Sequence, residues 1–383
     1  MKQVSGWCAI WIAAAGIAGT ALTPQLRAEG DWETTAQSEA ALERGLQWLA
    51  RNQGPEGNWN TNELGLVSMG GLAFLSAGHT PGHGQYGDNI QKALEFVVRH
   101  AKPSGLLNMA EAQHDMYNHG LSAFVLGQAY GMSSDAKVGP ALDRALKLIA
   151  ATQCRDGGWD YHAAPQPNGH DLSLAVMQAK ALRSAMDSGL EVPQEVIELA
   201  IHGVRQHYNP RGCPKTADDA EQQKFPGRFT YSRGGGNETL AMAAAGVVCL
   251  QEFAQYDDWR IQKNMEFIES EVQKWKDYKA GAPPTDAYTL YYVGQALYQV
   301  GGERWKKNYP VLRDCLVVAQ KKTETPPQPQ TDGMWEPRGW VDGQPGRLYM
   351  TSVCCFVLAM PNRYLPILQE GKIDSLRQQF RRK

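Results

Sequence analysis

The sequence has almost no net charge and no basic stripe, and both absences bear on its partners. Lys and Arg together number 38 and Asp and Glu number 40, which gives a formal charge of −2. Proteins that bind nucleic acid usually collect Lys and Arg on one face of the fold. Because no segment of this sequence stands out as basic in this way, nothing in it points to a nucleic acid as partner.

Long hydrophobic runs are also missing, except near the N-terminus. Lys2 is followed by an uncharged, mostly apolar segment from Trp7 to Leu22. That segment is short for a membrane-spanning helix. A positive start, a short apolar run and small residues before a cleavage point are typical of a signal peptide. We therefore expect residues 1–28 to direct export to the periplasm or the medium; an uncleaved anchor is the alternative. No later run is long enough to span a membrane.

Cysteine is scarce for an exported chain. Seven are present, and those beyond residue 28 are too few for a disulfide scaffold. None has the C-x-x-C spacing of a metal site, so the sequence predicts neither a metal nor a cofactor. Four lie in apolar helical stretches, where small buried thiols are expected: Cys249, Cys315, Cys354 and Cys355.

What the sequence does contain is an internal repeat. The first copy comprises Ala41, Gln53, Gly57 and Trp59, and the second, one hundred residues later, comprises Ala141, Gln153, Gly157 and Trp159. Weaker copies of the same amphipathic helix begin near residues 93, 196, 260 and 311. Each copy is followed by a second, more apolar helix. These second helices begin near Leu64, Tyr117, Asp171, Glu238, Asp286 and Leu348.

The two kinds of helix predict an all-α fold. An amphipathic helix faces water on one side, whereas a helix that is apolar nearly all round is buried on several sides. Six outer helices around six inner ones give an (α/α)6 toroid, which we place over residues 29–368, followed by a basic tail at 369–383. An open solenoid is the alternative, but it needs polar capping repeats, and the first and last copies show none.

The landmark residues of the repeat predict a structural device. A Gln at the end of the outer helix can bond backbone groups of the next turn, Gly allows the tight exit, and Trp packs back on the repeat. Cys154 and Cys213 each follow an outer helix of neighbouring repeats. We therefore expect them at the same end of the ring, where a disulfide could join them.

The landmarks resemble the repeat motif of squalene cyclases, which ends in Q-x-x-x-G-x-W. Residues 53–59 match it and residues 153–159 nearly do. Residues 291–298 and 347–351 are similar to exported bacterial proteins that carry prenyltransferase and squalene oxidase repeats. The resemblance to this terpenoid cyclase and protein prenyltransferase superfamily covers residues 40–368. It implies the toroid, but it is weak for reaction, because fold does not carry function.

The catalytic signatures of the resembled families are absent. Squalene cyclases use an Asp-x-Asp-Asp segment to protonate the substrate, and no such segment occurs. Prenyltransferase β subunits hold zinc with an Asp, a Cys two residues later and a distant His before a Thr. Tyr288 stands at the Cys position after Asp286, and Met350 stands at the His position before Thr351. The Gly-Cys-Gly-Glu-Gln segment of thioester proteins is missing as well.

In a closed ring the inner helices run parallel, so their N-termini converge on one mouth. Asp171 and Asp286 begin two of these helices, and we predict them as the catalytic carboxylates. The predicted ligand-binding residues near the same mouth are His114, Asp115, His119, Arg233, Arg347 and Tyr349. Helix N-termini carry partial positive charge, which favours an anionic ligand.

A simpler interpretation exists for the same residues. Asp is a preferred N-cap, so Asp171 and Asp286 are also expected if they only cap their helices. Asp115 and His119 are spaced i, i+4, and on a helix the carboxylate would orient the histidine. A histidine buried for structural reasons fits that position as well.

Three functions remain open from the sequence. The first is a ligand-binding or interaction toroid without catalysis, with a small molecule or a protein as partner. The second is an isoprenoid- or lipid-processing enzyme of the terpenoid cyclase or prenyltransferase type. The third is a carbohydrate-active (α/α)6 enzyme, which needs two carboxylates about 5 to 10 Å apart at the mouth.

Overall fold

The computed structural model of the chain describes residues 32–279, 281–322, 330–338 and 346–369. Within these ranges the chain forms thirteen α-helices and one short β-hairpin. The predicted all-α class is therefore confirmed.

Twelve of the described helices alternate between two environments. The first helices of the pairs are α1 (Ala36–Asn52), α3 (Gly87–Arg99), α5 (Val138–Thr152), α7 (Gln194–Arg205), α10 (Trp259–Gln273) and α12 (Gly302–Ala319). The second helices are α2 (Leu64–Ser76), α4 (Asp115–Ala129), α6 (Leu172–Asp187), α9 (Leu240–Glu252), α11 (Ala287–Val300) and α13 (Gly346–Ala359). Each predicted start lies within a few residues of an observed helix, apart from that of α12, which begins earlier than predicted.

The two kinds of helix differ in burial as their sequences predict. In α6 every residue from Leu172 to Ala185 is buried. In α1 the buried side chains, such as Leu46 and Leu49, fall on one face, and the other face is exposed. Exposing apolar side chains to water costs free energy. Helices that are apolar nearly all round therefore occupy the centre, and the amphipathic first helices cover them.

The second helices contact one another in a cycle. Helix α2 packs on α4, α4 on α6, α6 on α9, α9 on α11, α11 on α13, and α13 on α2 again. The first and last pairs also meet through α1, which packs against both α12 and α13. An open stack of helix pairs would leave α2 and α13 apart.

The landmark glutamines connect successive pairs. Gln153 Nε2 donates to the carbonyl of Gly157 at 3.2 Å and to that of Val196, in α7 of the next pair, at 2.9 Å. Gln53 makes the same two kinds of bond to Gly57 and Asn89. Gln320 Nε2 donates to Gly333 at 2.9 Å and to Ala41, in α1, at 2.7 Å. The last pair is thus joined to the first by the same device.

The landmark glycines and tryptophans complete this connection. Gly157 has a φ of 90°, and a Cβ there would overlap the carbonyl oxygen of Leu199 in α7. Trp159 Nε1 donates to the carbonyl of Ile149 at 2.9 Å, which returns the chain to its own helix α5. Trp59 and Trp335 make equivalent bonds in their repeats. The structural role predicted for these residues agrees with their contacts.

The insertion between α7 and α9 contains a hairpin and a short helix that have no counterpart in the described residues of the other repeats. It contains β1 (Tyr208–Pro210), the short helix α8 (Asp219–Gln222) and β2 (Gly227–Phe229), and the two strands pair antiparallel. The predicted Cys154–Cys213 disulfide is wrong, because both thiols are free. Cys154 is buried in the turn after α5, whereas Cys213 lies beyond β1, within the insertion rather than directly after an outer helix.

Two further predictions concern the ends of the chain. The predicted signal peptide at 1–28 lies outside the described residues, and so does the predicted tail beyond Gln369. Among the helices that are described, none combines the length and the apolar character needed to cross a membrane.

Candidate functional site

Asp171 precedes α6 and accepts more hydrogen bonds than a cap needs. Its Oδ1 atom accepts from the backbone N–H of Leu174 at 3.2 Å, which is the capping bond, and from the hydroxyl of Ser173. Its Oδ2 atom accepts from Tyr161 Oη at 2.7 Å and from His170 Nδ1 at 3.0 Å. The carboxylate is buried. Four donors around one buried carboxylate indicate more than the end of a helix.

Two further tyrosines extend these bonds. Tyr231 Oη lies 2.5 Å from Tyr161 Oη, and Tyr117 Oη lies 2.8 Å from Ser173 Oγ. The ring centroids of Tyr117 and Tyr161 are 5.6 Å apart, and those of Tyr161 and His170 are 4.4 Å apart. We name this group the Asp171 cluster; its members are Tyr117, Tyr161, His170, Asp171, Ser173 and Tyr231.

Backbone hydrogen bonds hold the two loops that supply tyrosines to the cluster. The N–H of Met116, in the first turn of α4, donates to the carbonyl of Tyr161 at 3.0 Å. The N–H of Leu172, in the first turn of α6, donates to the carbonyl of Tyr231 at 3.1 Å. These N–H groups have no partner within their own helices, so the helix starts fix the loops and thereby the tyrosines.

The electrostatics of the cluster keep the carboxylate charged and the tyrosines protonated. Burial acts to raise the pKa of Asp171, but the hydrogen bonds from Ser173, Tyr161 and His170, together with the nearby hydroxyl of Tyr231, outweigh it, and the pKa is lowered. Burial raises the pKa of Tyr231 to about 12, and the negative charge of Asp171 adds to this rise. Burial likewise raises the pKa of Tyr117 and of Tyr161. At neutral pH every hydroxyl of the cluster therefore keeps its proton.

Tyr288 of α11 extends the site towards a further repeat. Burial raises its pKa strongly, and the nearby Tyr117 and Asp171 add to the effect, which locates Tyr288 beside the cluster. Its hydroxyl oxygen is buried beside Ser173 and makes no well-aligned hydrogen bond within the described residues. Its ring packs edge-on against Tyr292, with centroids 4.8 Å apart. A buried hydroxyl without a well-aligned bond leaves a position at which a bound molecule could complete the bonding.

Asp286, the second predicted catalytic carboxylate, has a simpler environment. It accepts from the backbone N–H of Thr289 at 2.8 Å, from the hydroxyl of Thr289 at 2.8 Å and from that of Thr285 at 3.2 Å. All of these donors belong to its own helix start, as a capping role predicts. In the described part of the chain, no hydrogen bond joins Asp286 to the Asp171 cluster.

The predicted ligand residues at the start of α4 form local bonds. His114 Nδ1 lies 2.8 Å from Glu63 Oε1. Asp115 accepts from Asn108 Nδ2 at 2.7 Å and from the backbone N–H of Ala163 at 3.3 Å. Neither oxygen of Asp115 is bonded to His119, so the predicted carboxylate–histidine pair does not form, because Asn108 and Ala163 take the carboxylate instead.

His119 is a structural histidine. Its Nδ1 accepts from the N–H of Leu107 at 3.2 Å, and its Nε2 is 3.1 Å from the carbonyl of Ala145, to which it donates. The ring is completely buried, and burial lowers its pKa to about 4. Both ring nitrogens are therefore occupied in the neutral form, which explains why a ligand role, proposed from the sequence, finds no free atom here.

The two predicted arginines are engaged with carboxylates. Arg233 forms an ion pair with Asp156, in the turn after α5. Arg347 is exposed, and its Nη2 lies 3.4 Å from Glu336 Oε1. Within the described residues neither guanidinium bonds to the Asp171 cluster. Tyr349 is buried in α13 and lies near enough to Tyr288 to affect its pKa.

The sequence analysis missed most of the cluster around Asp171. It gave no role to Tyr161, Tyr231 or His170. One signal was present: His170 and Asp171 are adjacent and stand between the Trp159 landmark and the start of α6. Tyr231 could not be found in this way, because it belongs to the insertion that the repeat does not predict.

A second buried polar group lies within the second helices. Lys180 Nζ is 3.1 Å from Glu252 Oε1 and 4.3 Å from the ring centroid of Phe124. Burial lowers the pKa of Lys180. Gln299 Nε2 also donates to Glu252, at 2.9 Å. The pair joins α6 to α9 and α11, and its opposite charges compensate each other, so it is a structural link rather than an open site.

No group of three or more His, Cys, Asp or Glu side chains in the described ranges is arranged to hold a metal ion. Tyr288, at the position of the zinc-binding cysteine, is part of the site described above. Met350, at the position of the histidine, is buried with its sulfur 3.7 Å from Cys354 Sγ.

Comparison with known proteins gives one partial likeness. The chain is 29% identical over 147 residues to drimenyl diphosphate synthase from Streptomyces showdoensis, a match that covers 37% of this chain and 26% of that protein. The chain thus spans about a quarter of the length of the relative it matches. No family model matches the chain. The likeness fits a terpenoid cyclase-like superfamily and carries no further assignment of activity.

Proposed function

We propose that this chain is an exported, terpenoid cyclase-like α/α toroid that binds a small molecule through the Asp171 cluster at the mouth of its inner helices. The toroid, over residues 29–368, is supported by the cycle of contacts from α2 to α13 and back, and by the bond from Gln320 to Ala41. Export is supported by the character of residues 1–28.

One observation favours binding over cyclisation: the state of Asp171. A proton-donating acid must be protonated at the working pH, and catalytic acids reach that state through a raised pKa. Here the hydrogen bonds of the cluster lower the pKa of Asp171. A carboxylate that stays charged can orient hydroxyls and attract a ligand, but it cannot serve as the acid that starts a cyclisation. In a glycosidase Asp171 could serve only as the charged carboxylate, so a second carboxyl group would have to donate the proton.

A terpenoid cyclase-like enzyme is the second candidate. The partial likeness to drimenyl diphosphate synthase supports it. The half-buried rings of Tyr117, Tyr161 and Tyr288 would suit it as well, because aromatic faces stabilise cations. In that case the proton or the leaving group must be handled by residues other than Asp171.

Two measurements decide between these candidates. Native mass spectrometry of the full chain, recovered from its exporting host, should show a retained small molecule in the wild type and in Asp286→Asn but not in Asp171→Asn. Incubation with prenyl diphosphates of different lengths, followed by gas chromatography, should show no cyclised product. A cyclised product from the wild type would establish the enzyme instead, and an empty wild-type protein would remove the binding function.

Export has its own test. N-terminal sequencing of the protein from the periplasm or medium should begin at Glu29. Recovery only from the cytosol with Met1 intact would contradict this part of the proposal.

A further inference from the structure

The hydroxyl hydrogens of the Asp171 cluster are all directed towards the carboxylate of Asp171. An ionised carboxylate can only accept, and each hydroxyl has a single hydrogen to donate. Ser173 and Tyr161 both donate to Asp171. Tyr117 must therefore donate to Ser173, and Tyr231 must donate to Tyr161. The structure contains two chains of donation, and both end on the same carboxylate.

These chains determine what the outer end of the cluster presents. Because the hydrogens of Tyr117 and Tyr231 are used inwards, their hydroxyl oxygens offer only lone pairs to a ligand. Hydrogen bonds in series polarise one another, so the charge of Asp171 makes these two oxygens stronger acceptors. Tyr117, Tyr161 and Tyr231 are each partly exposed, and their rings add faces of negative potential.

The charged groups around the cluster also favour a cationic ligand over an anionic one. The positive end of α6 is already met by Asp171 itself, which accepts from the N–H of Leu174. The charge of Arg233 is compensated by the ion pair of its Nη1 with Asp156, although its Nε and Nη2 are buried without a hydrogen-bond partner in the described residues, and Arg347 is exposed beside Glu336. An anion would therefore meet acceptor oxygens and a buried negative charge. Two histidines of the described residues lie near Asp171: burial lowers the pKa of His207, and His170 is bonded to Asp171 at 3.0 Å.

We propose that the Asp171 cluster binds an organic ammonium ion on an apolar body, held by the hydroxyl oxygens of Tyr117 and Tyr231 and by the faces of the surrounding tyrosines. The hydroxyl of Tyr288 provides an additional contact beside it. This inference rests on the proposed binding function and names its ligand class. It replaces the anionic ligand expected from helix N-termini alone, since Asp171 occupies the N-terminus in question.

The test uses probes that differ only in the head group. Calorimetry of the full chain, at about pH 8 and below micelle concentrations, would compare decylamine, decyltrimethylammonium, decanol and decyl phosphate. We expect either cation to bind about tenfold more tightly than decanol, and decyl phosphate to bind most weakly. Tighter binding of decylamine than of decyltrimethylammonium would assign the hydroxyl oxygens the larger share; the reverse order would assign it to the ring faces.

Asp171→Asn gives a sharper test, because it should reverse the direction of the hydrogen bonds that run from Tyr231 through Tyr161 to the side chain at position 171. The Asn amide would donate to Tyr161 Oη, Tyr161 would then donate to Tyr231, and Tyr231 would present its hydrogen outwards. Asn still caps α6, so folding should be kept. We expect the preference for cations over decyl phosphate to vanish or invert. Tyr231→Phe, which removes one acceptor and leaves the carboxylate, should weaken the cation preference without inverting it, and Asp286→Asn should leave it intact.

The possible outcomes test the ligand class and the binding function separately. Equal binding of decanol and the cations, or tightest binding of decyl phosphate, would overturn the ligand class while leaving a binding protein. An unchanged preference in Asp171→Asn would overturn the assignment of that preference to this cluster. If no probe binds and no small molecule is retained from the host, the binding function itself fails.

Discussion

The connections between outer helices and the mouth of the inner helices are built in opposite ways. On the outside one device recurs: a Gln bonds a glycine carbonyl and the next outer helix in the first, third and last repeats. At the mouth, the group of four donors around Asp171 has no copy at the equivalent Asp286. Recurrence marks what the fold needs, and the departure from it marks where function is to be sought.

The second repeat shows why this comparison must be made on structure. It lacks the Gln and Trp landmarks, and its turn at Leu107 is tied to helix α5 of the next pair by His119 instead. The residue that the sequence suggested for ligand binding therefore substitutes for the missing connection. A singular residue is functional only if the fold does not already use it.

The largest expected effect concerns a recurring glycine. In Gly157→Ala the new Cβ would overlap the backbone of Leu199, and its φ of 90° disfavours any side chain. We expect the free energy of unfolding in urea to fall by about 3 to 5 kcal/mol. Gly189→Ala is the matched control, with a φ of 79° and open space around it, and should cost about 1 kcal/mol. Similar losses in both would show that the close approach to α7 is unimportant.

The next effect follows from the pKa of His119. Burial lowers this pKa to about 4, below the unfolded value of about 6.5. The folded state therefore binds fewer protons between these values, and stability must fall as pH drops from about 6.5 to 4. Relative to His119→Gln, the wild type should lose about 3 kcal/mol over this range.

Urea unfolding at several pH values measures this difference. His207, whose pKa burial also lowers, titrates in both proteins and cancels. His162 is half-exposed, and His162→Gln should leave the pH dependence of the wild type unchanged. A His119→Gln variant with the same pH dependence as the wild type would contradict the structural assignment of His119.

A smaller loss of unfolding free energy is expected when a glutamine of the recurring device is replaced, and two of these glutamines can be compared. Gln320 also accepts from Arg44 at 2.8 Å, in addition to its two donated bonds. Because its loss removes two hydrogen bonds to buried carbonyls and the acceptor of the Arg44 guanidinium, Gln320→Ala should cost about 2 kcal/mol, and Gln153→Ala about 1 kcal/mol less. Gln47 is exposed and bonds only Glu43, so Gln47→Ala should have almost no effect. Equal results for Gln320 and Gln47 would disprove the connection between the last and first pairs.

Much of the fold could be predicted because its signals are local. Helix periodicity, the Gly turns and caps such as Asp171 each depend on residues a few positions apart, and they located all twelve paired helices. The insertion with β1, α8 and β2 has no counterpart in the described residues of the other repeats, and its short strands carry little pattern, so it was missed.

The site could be predicted less well because it depends on distances between loops. Asp171 was found through its cap position, but the sequence could not show that Tyr161 and Tyr231 meet at its carboxylate. The same limit produced the incorrect disulfide and the incorrect Asp115–His119 pair. In each case a third residue or an insertion, unseen in the local pattern, took the place of the expected partner.

The smallest effect on stability should accompany the largest effect on function. Asp171→Asn and Asp286→Asn both keep a good capping residue, so each should change the free energy of unfolding by less than about 1 kcal/mol. At Asp171 the loss of a buried charge offsets weaker bonds to Tyr161 and His170. At Asp286 only the threonine hydroxyls are affected. Thermal melting of both variants measures this.

The two variants should therefore be equally stable but should differ in whether they retain a small molecule. We expect Asp171→Asn to lose it and Asp286→Asn to keep it, because only Asp171 orders hydroxyls contributed by α4, by the loop before α6 and by the insertion. If both variants lose stability and both keep the bound material, Asp171 is a cap like Asp286. The donors around Asp171 would then serve only to fix two loops to the starts of α4 and α6, and the distinction between the outer connections and the mouth would disappear.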